Sequence, residues 1–248
     1  MTNIIIVGAN GKMGKTIRKL ASGRDDINIS AGVDKISEKG EINIYENIDQ
    51  VKEDFDVALD FSRPTSLPSL LEFCSLKNKP LILCTTGYTP DDLKKIQEAS
   101  EKIPVFRSAN MSIGINVVNN VLKNISKFLY EEFDIEIIEK HHNQKADAPS
   151  GTAILLADTI KKSISEDITY TCGREGNCKR NKNEIGIHAV RGGNIVGEHT
   201  VIFAGNSEII EVKHSALSRD VFAVGALLAC KFMKGKEKGF YSMDDLIK

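Results

Sequence analysis

Four consecutive β-formers, Ile4-Ile5-Ile6-Val7, run directly into Gly8-Ala9-Asn10-Gly11-Lys12-Met13-Gly14, and Ile17 and Leu20 continue beyond them at helical spacing. An unbroken apolar run suits a strand buried on both faces, as in a parallel sheet covered by helices. Glycines at G-x-x-G-x-x-G spacing allow a tight strand-to-helix turn. They also let an anion approach the unpaired N–H groups of the helix start, where the dipole favours negative charge. Such a turn alone closes many strand-to-helix corners; its position makes it a variant of the dinucleotide fingerprint. The next apolar run ends at Asp34, twenty residues after Gly14, from where an acid reaches a ribose hydroxyl. Lys35 beside it is a point charge that suits a 2′-phosphate, so NADH and NADPH both stay open as cofactors.

The alternation of apolar runs and helix-period stretches continues to residue 107, with strands expected over 3–7, 27–33, 55–61, 80–84 and 104–107. Thr89-Pro90-Asp91-Asp92 is a helix start with an N-cap, a first-turn proline and two acids, followed by the apolar Leu93 and Ile96. Thr85-Thr86-Gly87 and Ser108-Ala109-Asn110-Met111 follow the last two strands, at the sheet edge where ligands bind, although ordinary turn chemistry explains them equally. After Ser108 the pattern changes to an amphipathic helix over 115–130, a strand over 133–139 and a helix over 151–163. Strand-like runs over 185–190, 195–203 and 209–214 are joined by Gly192-Gly193-Asn194 and Gly205-Asn206, which suit hairpin turns and predict a mostly antiparallel or mixed sheet in a second domain. A helix over 220–233 ends at Lys234-Gly235.

Composition excludes several classes. A net charge of −1 over 248 residues provides no basic field for a general nucleic-acid coat or a polybasic membrane binder. The longest apolar runs fall far short of the ~20 residues that span a bilayer, and no signal-peptide layout precedes the first strand, so a cytoplasmic chain is expected. Five cysteines, none in a C-x-x-C pair, read as reduced thiols.

The densest chemistry lies in Glu139-Lys140-His141-His142-Asn143-Gln144-Lys145-Ala146-Asp147-Ala148-Pro149-Ser150-Gly151-Thr152. A strand delivers two histidines, a lysine follows, and Ser150 is a natural N-cap that leaves the Gly151 and Thr152 N–H groups and the Thr152 hydroxyl for an anion. The set reads as a carboxylate receptor beside a proton source. A structural reading, in which the histidines cap the strand end, uses the same residues. Adjacent histidines on a strand point to opposite faces and no acid or cysteine stands at zinc-ligand spacing, so no metal is expected.

The run from His141 to Ala153 resembles the signature of the dihydrodipicolinate (4-hydroxy-tetrahydrodipicolinate) reductase family of lysine and diaminopimelate biosynthesis. The likeness extends over the Gly8–Gly14 loop, Thr85-Thr86-Gly87 and residues 110–116, 191–200 and 214–219. It implies an α/β chain with an N-terminal Rossmann-type parallel-sheet domain over 1–112 and 220–248. The inserted α+β substrate domain, over 113–219, would form a homotetramer through its sheet. It implies NAD(P)H-dependent reduction of a small cyclic dicarboxylate imine with loss of water. By position, His141 matches the proton donor/acceptor and Lys145 the second proton donor. His142, Gly151 and Thr152, with Ser150 as their cap, match substrate binding. Gly8, Ala9, Asn10, Gly11, Lys12, Met13, Asp34, Lys35, Thr85, Thr86, Gly87, Ser108, Ala109, Asn110 and Met111 match the cofactor site. Departures are Cys84 where glycine is usual, Met111 for a common aromatic and Lys35 for a common arginine, which weakens any NADP preference. Another two-domain amino- or keto-acid dehydrogenase and a non-enzymatic nicotinamide sensor are the competing readings.

Overall fold

In the computed structural model, which describes residues 1–38, 40–164 and 167–248, the opening apolar run becomes β1 (Thr2–Val7), whose Ile4, Ile5 and Ile6 are wholly excluded from water. It belongs to a sheet built with α1 (Lys12–Ala21), β2 (Ile27–Val33), β3 (Asn43–Tyr45), β4 (Val57–Asp60), α2 (Leu67–Lys77), β5 (Leu81–Leu83), α3 (Pro90–Ser100) and β6 (Pro104–Arg107). All pairings are parallel, in the order β3-β2-β1-β4-β5-β6. Alternation distributes the side chains: Ile4 and Ile6 join Leu59, Ile82 and Phe106 on one face, and Ile5 and Val7 join Ala58, Leu81 and Leu83 on the other. α1 covers the first face through Ile17, while α2 and α3 cover the second through Leu70, Phe73 and Ile96. The chain leaves β1 towards β2 on one side and returns to β4 on the other, so the crevice at the carboxyl ends of β1 and β4 is the topological switch point.

Residues Gly114–Arg219 make a second compact unit, the first being Met1–Ile113 with Asp220–Lys248. The next elements are α4 (Ile113–Leu129), β7 (Asp134–His141), α5 (Gly151–Ile164), β8 (Thr169–Cys172), β9 (Glu184–Arg191), β10 (Gly197–Ala204) and β11 (Ile209–Ala216). Their sheet runs β11-β10-β7-β9-β8 and is mixed, because β7 pairs antiparallel with β10 but parallel with β9. Residues 192–194 are therefore not a hairpin turn, contrary to their local chemistry. β9 and β10 satisfy the two edges of β7, and the connection crosses its end. There Gly192 N–H donates to His141 O (2.9 Å) and Asn143 N–H to Gly193 O (3.2 Å). β10 and β11 do form the expected hairpin. Along β7 every second residue is buried, so Ile135, Ile137, Glu139 and His141 share one face. Ile135 and Ile137 pack there against Leu122 of α4 and Leu156 and Ile160 of α5.

The C-terminal segment returns to the first sheet. α6 (Asp220–Met233) lays Ala223, Ala226, Leu227 and Cys230 on the face that holds Ile4 and Ile6. β12 (Gly239–Tyr241) adds a seventh parallel strand beside β6, and α7 (Met243–Leu246) follows. These last two elements lie past the glycine at which the sequence pattern stops. α6 approaches the turn after β6 so closely that a Cβ on Gly225 would fall 1.8 Å from the Met111 carbonyl oxygen. In an open helix Gly→Ala would stabilise by roughly 1 kcal/mol. Gly225→Ala is instead expected to lower the melting temperature, and a raised melting temperature would show that α6 has room there.

Candidate active site

The switch point carries the glycine loop. Gly8 holds a positive φ of 85°, and a Cβ on it would stand 2.6 Å from the Phe61 carbonyl oxygen. On Gly14 a Cβ would fall 2.2 Å from Gly8 O, so the first turn of α1 sits directly on the loop. α1 starts from Gly11 without a side-chain cap and without an acid in its first turn. α3, by contrast, is closed by Thr89 and Asp92 in a capping box with Asp91 alongside. The uncapped, acid-free N-terminus and the side-chain-free cradle fit the pyrophosphate of a dinucleotide. Asp34 closes the loop from β2: its carboxylate accepts Asn10 N–H (2.8 Å) and Lys35 N–H (2.7 Å), and spare lone pairs remain for ribose hydroxyls. The side chains of Lys12 and Lys35 stand exposed.

The other expected cofactor residues divide by exposure. Thr86, Gly87 and Ala109 are open, and Ser108 and Asn110 are half-buried with the Ser108 hydroxyl donating to Asn110 O (2.8 Å). Ala9, Thr85 and Met111 are buried: Ala9 lies against Gly32, the Thr85 hydroxyl donates to Asp60 (2.7 Å), and Met111 belongs to the core. Whatever these three offer a ligand is backbone.

In the second unit the period of β7 brings Glu139 and His141 to one face, and the structure surrounds them with groups from three other elements. Glu139 is wholly buried. It accepts a paired hydrogen bond from Arg191 at the end of β9 (2.6 and 2.7 Å), the Ser150 N–H (2.9 Å) and the His141 ring at Nδ1 (2.6 Å). Burial alone would raise the Glu139 carboxyl, but the Arg191, His141 and Ser150 hydrogen bonds outweigh it and hold the group below its ordinary range. An ionised carboxylate only accepts, so Nδ1 carries a proton and Nε2 is the nitrogen His141 presents. Gly197 lies against that nitrogen, where even a Cβ would stand 3.1 Å from it.

His199, on β10, packs edge-to-face against His141 with ring centroids 5.2 Å apart, and its Nε2 lies 3.0 Å from the Ser150 hydroxyl. That hydroxyl also accepts the Ala153 N–H (3.2 Å), the bond expected of an N-cap. Ser150 is thus spent inside the protein. Burial, with the positive charge of a protonated His141 nearby, lowers His199 to about 4, so it is neutral at physiological pH.

Lys145 is half-buried, and its Nζ lies 2.8 Å from the exposed Asp147 carboxylate. The Asp147 carboxyl is held low first by this lysine and also by the Gly151 N–H. Thr152 is half-buried in the first turn of α5, and no Cβ on Gly151 would meet anything within 4 Å. His142, on the opposite face of the strand end, accepts at Nε2 from Arg219 (3.2 Å).

Reading the chain alone singles out His141, His142, Lys145, Gly151 and Thr152, but misses Arg191, His199 and Arg219 as members. The signal is alternation: His199 lies in register with Glu139 across the sheet, and Arg191 with His141.

A family profile described as dihydrodipicolinate reductase, N-terminus, matches residues 2–111, and one described as dihydrodipicolinate reductase, C-terminus, matches 114–247. A 4-hydroxy-tetrahydrodipicolinate reductase of Clostridium tetani is 59% identical over 248 residues, covering 100% of this chain and 97% of that protein. One from Clostridium novyi is 59% identical over 249 residues, covering 100% and 99%. Among solved structures, the dipicolinate-bound dihydrodipicolinate reductase from Paenisporosarcina sp. TG-14 has the same fold, with a TM-score of 0.83 at 23% identity, covering 98% of this chain and 97% of that one.

The burial of His199 makes stability depend on pH. Unfolded, His199 takes up its proton near its ordinary value of 6.5, but folded it does so only at about 4. The unfolded state therefore binds more protons in that window, and stability falls as pH drops from about 6.5 towards 4. His214, also lowered by burial, acts in the same direction. Glu139, likewise held below its ordinary value, acts in the same direction at lower pH, its contribution being lost as pH falls below the ordinary carboxylate range. Urea unfolding at pH 7 and pH 5 should differ by roughly 2 kcal/mol on account of His199. Most of that difference should vanish in His199→Gln; an equal loss in the variant would remove His199 as its source.

Proposed function

The chain belongs to the dihydrodipicolinate reductase family, and we propose how its residues share the family's reaction, the NAD(P)H-dependent reduction of 4-hydroxy-tetrahydrodipicolinate to tetrahydrodipicolinate with loss of water. Bound NADH or NADPH supplies the hydride. Gly8, Ala9, Asn10, Gly11, Lys12 and Met13 would hold its pyrophosphate, and Asp34 and Lys35 its adenosine ribose. Thr85, Thr86, Gly87, Ser108, Ala109, Asn110 and Met111 would hold its nicotinamide end.

Lys145 Nζ, the Gly151 N–H and Thr152 receive one ring carboxylate, while His142 and Arg219 face the other. The observation that supports this reading is that Lys145 and the Gly151 N–H already converge on a carboxylate, that of Asp147. Substrate binding exchanges that internal carboxylate for one on the ring. As hydride reaches the conjugated C=C–C=N system, negative charge develops towards the ring nitrogen and a proton must follow. His141 delivers it from Nε2, and Glu139 stabilises the charged imidazole from the other side. Lys145 is the second proton donor. The second unit also exposes Val190, Ile209 and Leu217, which supports a homotetramer assembled through that unit. Among the described residues no helix is long and apolar enough to cross a membrane, and we read the enzyme as cytoplasmic.

With substrate generated in situ and NADH loss followed by absorbance, His141→Ala should lower kcat by roughly 10²–10⁴-fold with less change in substrate KM. Lys145→Ala should impair both. Near-normal turnover in His141→Ala would take the imidazole out of the mechanism. Asp147→Ala should lower the substrate KM, by about threefold or more, if its carboxylate competes with the ring; a raised KM would mean that Asp147 orients Lys145 instead.

A further inference from the structure

Asp60 ends β4 at the switch point and is wholly excluded from water, yet no Lys or Arg pairs with it among the described residues. Its partners are neutral donors on two turns. Oδ1 accepts the Ser62 N–H (3.0 Å) and the Ser62 hydroxyl, and Oδ2 accepts the hydroxyls of Thr85 (2.7 Å) and Tyr88 (3.3 Å). Burial pushes the carboxyl above its ordinary range, and these donors oppose the shift. The rest of β4, Val57, Ala58 and Leu59, is apolar and fully buried, so strand packing asks for no acid at its end. A polar group this deep is costly to place without a task.

What it holds is the crest of the sheet. Ser62 follows Phe61, whose carbonyl faces Gly8 of the phosphate loop. Thr85 and Tyr88 bracket the exposed Thr86-Gly87, and a Cβ on Gly87 would stand 3.9 Å from the ring of Pro64, two residues past Ser62. Asp34, just past the end of β2, marks the adenosine side of the loop, and β4 and β5 lie on the other side of β1. A dinucleotide with its pyrophosphate at the loop therefore extends its nicotinamide half towards β4 and β5.

We propose that Asp60 is a positioning residue for the nicotinamide half of the cofactor: it ties the turn after β4 to the turn after β5, so that the open Thr86-Gly87 backbone is held beside the phosphate loop. This rests on the cofactor lying along the crest. The mechanism is hydrogen bonding, with three rotatable hydroxyls and one fixed N–H. An asparagine can therefore serve, its oxygen taking the Ser62 donors and its amide donating to the Thr85 and Tyr88 hydroxyls, whereas alanine cannot.

The test measures affinity for NADH, which has both halves, and for ADP-ribose, which lacks the nicotinamide, by titration calorimetry on the full chain. Asp60→Ala is expected to weaken NADH by roughly tenfold or more while ADP-ribose stays within about twofold, and Asp60→Asn to restore NADH to within about threefold of the unmodified chain. Equal weakening of both ligands, no weakening of NADH, or failure of asparagine to restore it would overturn the proposal. If Asp60→Ala does not fold, Thr85→Val removes one donor at nearly constant volume. NADH should then weaken selectively, and unchanged NADH affinity overturns the proposal. The crest reading is checked separately by Gly8→Val: retention of both ligands in that variant would refute the crest itself, whatever Asp60 does.

Discussion

The candidate site of the second unit is organised around the buried negative charge of Glu139. Glu139 is out of water, and four hydrogen bonds from Arg191, His141 and the Ser150 amide satisfy it. A carboxylate so placed is tolerable only while its partners stay, because removing one leaves an uncompensated charge in the interior. The pairing of β9 with β7, the start of α5 and the orientation of the imidazole are thus one constraint. The proton chemistry of His141 depends on it, since the bond at Nδ1 decides which nitrogen is presented.

Each unit buries an acid at or near the carboxyl end of a strand, and the two are compensated differently. Glu139 has a guanidinium; Asp60 has hydroxyls and an amide. Accordingly the first carboxyl lies below its ordinary range and the second above it. Arg191 fixes charge beside a residue that must handle protons. Neutral donors around Asp60 fix geometry without placing a cation beneath the turns.

Three helix starts show how the chain keeps or gives away its anion sites. α3 is closed by its own acids and Thr89, α1 is left without a cap, and α5 is capped by Ser150 while its Gly151 N–H engages Asp147. The dipole argument applies to all three; side chains decide which end an external anion meets. At α1 the helix start itself carries no cap and no acid in its first turn, and Lys12 stands exposed beside it, which suits a pyrophosphate. At α5 an internal carboxylate holds the place and must be exchanged.

The parallel first sheet was legible from residues 4–7 and the alternation that follows, because a strand covered on both faces must be apolar throughout and a glycine turn has few other uses at its end. The cluster from His141 to Thr152 was legible because its members are close in sequence. β3, β8, β12 and α7 were not, since each is three or four residues long and, unlike the equally short β4, β5 and β6, contains no continuous apolar run. The Gly192-Gly193 turn was misjudged because local turn chemistry says nothing about which strand takes the place beside β9. By itself the sequence determined the periods, the turns and the helix starts, all set by interactions between near neighbours. Only the tertiary structure decided that Arg191 and His199, 50 and 58 residues beyond His141, stand beside it, and that Thr85 and Ser150 turn their hydroxyls inward. Those outcomes follow from sheet order and from the need to satisfy buried polar groups, which bind distant residues together.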